Sequence, residues 1–166
     1  MKALERKLLF HPRLPQTIHP EYKSFAVLIP HGYKTISNTP NAISQDSKTQ
    51  VFSFHGNIGC ALYYHCRMLH YEPLLQLYSF EYPGFGTRKK EKTTPALLEE
   101  AVSFVRENMD EKQNIIIIGT SFGTGVASYV ASKLDCQVHL ILVTPYSSLT
   151  DLISQKLWKL GSILSF

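Results

Sequence analysis

Five residues, Gly119-Thr120-Ser121-Phe122-Gly123, carry the G-x-S-x-G spacing of a nucleophilic serine. An apolar, β-branched run precedes them and a helical pattern follows, the strand–turn–helix setting that the spacing requires. Ser121 then stands at a helix N-terminus, where the dipole and unpaired N–H groups favour developing negative charge. The chemistry would be attack by a hydroxyl on an acyl carbon. The N–H of Phe122 is placed to be one donor to the oxyanion. Gly119 and Gly123 flank the serine because side chains there would crowd the turn. Taken alone the pattern matches any Gly- and Ser-rich turn, and the flanking elements give it its weight.

A second glycine-rich loop, His55-Gly56-Asn57-Ile58-Gly59, follows the preceding buried strand. It can supply the other oxyanion N–H, from Asn57 or Ile58. Gly56 and Gly59 let the backbone turn its N–H groups inward. The ordinary reading is a connection in which Asn57 caps the next helix. His31-Gly32 is an internal control, with the same dipeptide and no oxyanion loop expected. Tyr82-Pro83-Gly84-Phe85-Gly86 is a rigid turn. Nucleotide chemistry fits poorly: G-x-G-x-x-G would need glycine at Lys89, Ser121 stands where a second glycine belongs, and no Walker lysine is present.

Other candidates are weaker. Cys66 and His70 share a helix face with His65 alongside, but two ligand types without a third do not make a metal site. The segment Arg88-Lys89-Lys90-Glu91-Lys92 reads as a solvated loop, with contact to an anionic headgroup as the alternative. Nothing in the sequence calls for a cofactor.

The elements that must hold these residues alternate strand and helix. Residues 1–23 form an irregular lead-in broken by Pro12, Pro15 and Pro20. Ser24 to Ile29 reads as a strand, His31-Gly32 as a turn, and residues 37–49 as loop with a weak edge strand. Strands at Val51 to Phe54 and at residues 74–80 bracket a helix over 59–70. Thr94 as N-cap and Pro95 at N1 open a helix whose inner face carries Leu98, Ala101, Val102, Val105 and Met109. Asn114 to Ile118 is the clearest buried strand, ended by Gly119. A helix over 122–134 faces inward through Phe122, Val126, Tyr129, Val130 and Leu134. Val138 to Val143 reads as another buried strand. Ser148 to Asp151 resembles a capping box for a last helix with Leu149, Leu152, Ile153, Leu157, Leu160 and Leu164 on its apolar stripe. The expected fold is α/β, a doubly wound, mostly parallel sheet in one domain over 1–166. Ligands in such sheets bind beyond the carboxyl ends of the strands.

Composition bounds the partners. With 166 residues, 17 Lys plus Arg against 13 Asp plus Glu and a net charge of +4, the chain is too mildly basic for a nucleic-acid footprint. No apolar run approaches the roughly 18 residues of a membrane span. Three cysteines without a CxxC suit a reducing compartment, and a cytoplasmic protein is the default expectation. Lys156, Trp158 and Lys159 flank the apolar stripe of the last helix and make membrane-surface contact a secondary expectation.

The motifs HGNIG, EYPGFG and GTSFGTG, in that order on strand–helix units, resemble the α/β-hydrolase superfamily. The similarity is greatest to the branch of acyl-protein depalmitoylases, lysophospholipases and monoacylglycerol lipases. The lead-in Leu9-Phe10-His11-Pro12, the turn Pro30-His31-Gly32 and the segment Thr144 to Leu149 resemble that branch too. The resemblance implies a serine hydrolase of acyl esters or thioesters, with a small-molecule or lipid substrate. Ser121 would be the nucleophile, Phe122 with Asn57 or Ile58 the oxyanion donors, and His55, Gly56, Gly119 and Gly123 structural parts. It also implies eight strands and the order serine, acid, histidine along the chain. This sequence departs from that order. The only histidine after Ser121 is His139, inside a strand, and the acid and histidine loops are absent. The expectation is therefore a hydrolase fold lacking its last strands, weak or inactive as it stands. The alternative is a catalytically dead binding protein on the same scaffold. Loss of the base from a serine triad costs about 10⁶ in kcat. The uncovered last strand would invite self-association.

Overall fold

The computed structural model describes residues 26–35, 49–71, 76–88, 93–148 and 154. Among the described residues, six strands and three helices follow in the order β1 (Ala26–Ile29), β2 (Gly32–Thr35), β3 (Thr49–Phe54), α1 (Ala61–Tyr71), β4 (Gln76–Phe80), α2 (Thr94–Asn108), β5 (Asn114–Thr120), α3 (Phe122–Lys133) and β6 (Val138–Val143). The strands form one sheet in the order β1-β2-β4-β3-β5-β6. β1 and β2 pair antiparallel, as do β2 and β4, and the remaining three pairings are parallel. The architecture is a mixed α/β fold with a mostly parallel sheet.

The alternation of side chains along the central strands divides the core into two layers. Phe52, Phe54, Phe80, Ile115 and Ile117 face α2 and α3, meeting Leu97, Phe104, Val105, Val126 and Val130 in the larger cluster. Val51 and Leu77 face the other way and pack with Leu69 of α1. Each fully buried aromatic of the larger cluster contributes roughly 1.5–3 kcal/mol by leaving water. Gln50, buried in β3, ties the layers' far end together. Its amide donates to Asn108 O at 3.1 Å and accepts from Asp110 N at 2.6 Å, so it holds the end of α2 against the sheet.

Several local expectations change. β2 begins at Gly32, where a turn is expected. The turn is Pro30-His31 instead, with His31 at φ 65°, and Gly32 is needed for space: a Cβ there would lie 2.2 Å from Ser79 O across the β2–β4 pairing. The strand has only four residues, too few for alternation to stand out in the sequence. The weak edge strand expected within 37–49 falls outside the described residues apart from Thr49, which opens β3. In α2 the N-cap is Thr93, so Thr94 and Pro95 move one place into the first turn. Its buried face is Leu97, Glu100, Ala101, Val102, Phe104 and Val105, which keeps Ala101, Val102 and Val105 as expected and leaves Leu98 and Met109 only partly covered, because the face must meet both α3 and the Phe52–Phe80 ridge. β5 runs on through Gly119 to Thr120.

The largest difference is β6. It forms where the apolar run lies, paired with β5, but it is the end strand of the described sheet. Leu140, Ile141, Leu142 and Val143 are 39–45% exposed, where burial is expected. A sequence run records which strand is apolar and not which element covers it. The capping box and last helix over 148–166 lie outside the described residues, apart from Ser148 and Ser154. The basic segment also differs in part: Arg88 is half-buried in an ion pair with Glu100 at 2.8 Å, while 89–92 are outside the described residues. Among the described residues, no helix is long and apolar enough to cross a membrane.

Candidate functional site

The sheet register brings the motif-bearing loops together. Phe54 pairs with both Phe80 and Gly119, and Thr120 pairs with Val143, so β3, β4, β5 and β6 end side by side. His55, Glu81, Ser121 and Thr144 each follow one of those ends.

Ser121 sits between β5 and α3 at φ 51° and ψ −118°. An L-residue seldom adopts this conformation, which costs about 1–3 kcal/mol and persists where the surroundings over-determine it. They do so here. Ser121 N–H donates to Val143 O at 2.9 Å, and Ser121 O accepts from Thr124 N at 2.8 Å and from Thr124 Oγ1 at 2.7 Å. Crowding closes the turn from both sides. A Cβ on Gly119 would lie 2.4 Å from Gly123 O, and one on Gly123 would lie 2.1 Å from Phe54 O and 2.7 Å from His55 O. The spacing of two glycines about the serine therefore has a steric reason, and α3 could not enter this close to β3 without it. Phe122 opens α3, so its backbone N–H belongs to the helix N-terminus.

The loop 55–59 lies against this turn. A Cβ on Gly56 would stand 3.6 Å from Ser121 Cβ and 3.5 Å from Thr120 O. Asn57 is half-buried and Ile58 is 49% exposed. Gly59 takes φ 115°, a conformation that glycine permits without a Cβ clash. His55 is buried beneath the loop. Its Nδ1 lies 2.6 Å from Gly56 O and its Nε2 lies 3.1 Å from Glu81 Oε1. Both ring nitrogens are engaged, and the ring packs 4.2 Å from the Tyr82 ring. His55 is thus a structural part of the loop.

Glu81 is the residue whose importance the sequence reading missed. It is 1% exposed and accepts Ala61 N–H, the first of α1, at 3.0 and 3.1 Å. A buried carboxylate at a helix N-terminus satisfies an orphan donor and meets the positive end of the dipole. Its backbone is held as well, by His31 O on its N–H at 2.9 Å and by the Arg88 guanidinium on its carbonyl at 2.7 Å. The available signal was a charged residue directly after a buried strand, inside an aromatic run. Tyr82, fully buried, donates its hydroxyl to His55 O at 2.8 Å, and burial pushes its pKa well above the ordinary phenol value.

Other nucleophiles and bases are poorly disposed. Burial raises the Cys60 thiol, which favours the protonated form. His65 lies in α1 with Nδ1 at 2.9 Å from Ser79 Oγ, and burial lowers its pKa to about 3. His139 is the second residue of β6, opposite Ile116, well short of the strand end that carries the loops. Asp135 precedes β6, and Asp151 is outside the described residues. Among the described residues, no group of three His, Cys, Asp or Glu side chains gathers in a way that could hold a metal ion. His65 and Cys66 are buried and His70 is exposed.

Compared with models of known protein families, the chain matches none. No curated protein matches it either.

Proposed function

We propose that this chain carries the nucleophile and oxyanion loop of a serine hydrolase of the α/β-hydrolase type, acting on an acyl ester or thioester. The observation that carries the reading is the strained Ser121 backbone, held between β5 and α3 by two glycines that admit no side chain. Strain of this kind exposes a serine hydroxyl at a strand end and needs a reason to persist. In this reading Ser121 Oγ adds to the acyl carbon. The oxyanion formed accepts from Phe122 N–H and from Asn57 or Ile58 N–H. The alcohol or thiol leaves with a proton as the acyl-serine forms, and water then adds to the acyl carbon, releasing the acid and returning the Ser121 hydroxyl. His55, Gly56, Gly119 and Gly123 hold the geometry. An acyl substrate, lipid or small, would lie across the strand ends.

The base is the open part of the mechanism. The serine proton needs an acceptor, and among the described residues the histidine that follows Ser121 is His139, near the start of β6 and away from the strand ends that carry the loops. This observation favours the second reading, a binding protein on the same scaffold with a serine that no longer reacts. The 166-residue chain and its Ser121→Ala variant, incubated with a fluorophosphonate probe in buffer containing free imidazole, separate the two. In the labelling step Ser121 Oγ bonds phosphorus, fluoride leaves, and imidazole takes the serine proton. Labelling of the parent and not of Ser121→Ala supports the hydrolase. No labelling of a folded parent supports the binding protein.

A further inference from the structure

We propose that the Tyr64 hydroxyl is a third, side-chain donor to the oxyanion at Ser121. The assignment rests on the hydrolase reading above and adds a residue that neither loop motif contains. Gly56 marks the place. A Cβ built on it would lie 3.6 Å from Ser121 Cβ and 3.8 Å from Tyr64 Oη. The glycine therefore leaves a gap with the serine on one side and the phenol oxygen on the other. In the hydrolase reading an acyl group on Ser121 would place its oxygen close to that gap.

The ring is held and the hydroxyl is available. The Tyr64 ring stacks on His55, with centroids 5.8 Å apart and planes 15° from parallel. A Cβ on Gly59 would come within 3.2 Å of the ring, so the phenol also covers the backbone of the loop. Its hydroxyl bonds Ile58 O at 3.4 Å, a long bond on the exposed side of the loop. A bond at this length is weak, and little is lost when the hydroxyl turns to a charged acceptor. Burial, reinforced by Tyr63 and opposed by Arg67, raises the phenol's pKa, so it holds its proton at neutral pH. Tyr64 would donate a hydrogen bond and transfer no proton. No bond at its oxygen is made or broken.

Tyr64→Phe tests this while keeping the ring that stacks on His55. Fluorophosphonate inactivation of the parent, Tyr64→Phe and Ser121→Ala is followed over probe concentration, with free imidazole present, to separate probe binding from the bond-forming rate. Urea unfolding establishes that each variant is folded. The expected result is a bond-forming rate about 10²-fold lower in Tyr64→Phe, the loss typical of one oxyanion donor, with probe binding within a factor of two of the parent. An unchanged bond-forming rate overturns the assignment and leaves the hydrolase reading standing. Weaker probe binding with an unchanged bond-forming rate overturns it as well. A folded parent that does not react at all overturns both readings together.

Discussion

The dipeptide His-Gly occurs twice at the same edge of the sheet, and its two copies do different work. His31-Gly32 joins β1 to β2, and His55-Gly56 leaves β3. Both histidines meet a glutamate: His31 Nδ1 lies 2.9 Å from Glu100 and His55 Nε2 lies 3.1 Å from Glu81. The first side chain is 37% exposed and the second 1%. The glycines differ in the opposite sense. Gly32 is pressed on a neighbouring strand, whereas Gly56, also buried, has room for a methyl in ordinary contact with Thr120 O, Ser121 and Tyr64. In the first copy the glycine builds the fold and the histidine decorates it. In the second the histidine is buried structure and the glycine leaves room for a site. Burial, and not the dipeptide, assigns the roles.

The largest effect that tests this contrast is at Glu81. Replacing it with alanine leaves His55 and the Ala61 N–H without their shared acceptor in a dry interior. Each buried donor left without an acceptor costs about 1–3 kcal/mol. Urea unfolding of Glu81→Ala should show a loss of that size. A loss under about 1 kcal/mol would show that the His55–Glu81 pair is worth no more than a surface one.

Next comes the pair of glycines. In Gly32→Ala the new methyl meets Ser79 O at 2.2 Å, and the oxygen belongs to a paired strand that cannot yield easily. Overpacking of this kind costs about 1–3 kcal/mol. Gly56→Ala places its methyl at 3.5 Å or more from any neighbour, so its unfolding midpoint should stay near the parent's. In the hydrolase reading its cost falls on the labelling rate of Ser121, because the methyl fills the gap before the serine. If Gly56→Ala unfolds as readily as Gly32→Ala, the division of labour between the two copies fails.

His65 extends the contrast to a buried histidine facing a hydroxyl instead of a carboxylate. Burial lowers its folded pKa to about 3, against 6.5 for the unfolded chain. Between those values the unfolded state binds the extra proton. The stabilisation is therefore complete above pH 6.5 and is lost progressively as pH falls toward 3. The slope contributed approaches about 1.4 kcal/mol per pH unit, the value for one proton. Unfolding followed from pH 7 to pH 4 should be less steep in His65→Gln than in the parent. Equal slopes in the two proteins would remove His65 from the acid response.

The contrast also marks what could be read before the structure. The central strands β3, β4 and β5 were legible because Val51 to Phe54 and Asn114 to Ile118 are apolar runs bounded by glycine. The order of the three loops then put Ser121 and Gly56 at one edge. The tight turn at Ser121 was legible from its two glycines, since their need is local and steric. Glu81 was not legible, because its role depends on the start of α1, twenty positions away in the sequence, and on a ring from another strand. β2 was too short for its alternation to register. The exposure of β6 was hidden for a different reason: Val138 to Val143 has the composition of a covered strand, and only the strand order shows that among the described residues it has one neighbour.

The smallest expected effect is at His31, and it completes the comparison. Its contact with Glu100 shares that carboxylate with Arg88, whose guanidinium lies 2.8 Å from the same oxygen and also holds the Glu81 carbonyl. His31→Ala therefore leaves Glu100 paired. The histidine is more than a third exposed, so water screens what it contributes, and pairs of this kind are worth about 0.2–1 kcal/mol. Its φ of 65° argues for a further small adjustment, since alanine has no side-chain hydrogen bond to support the left-handed turn. His31→Asn, better suited to that conformation, should recover part of any loss. Urea unfolding of the parent, His31→Ala and His31→Asn gives the sizes directly. A loss in His31→Ala as large as that in Glu81→Ala would mean that the exposed copy of the dipeptide carries as much of the fold as the buried one. That result would end the assignment of roles by burial.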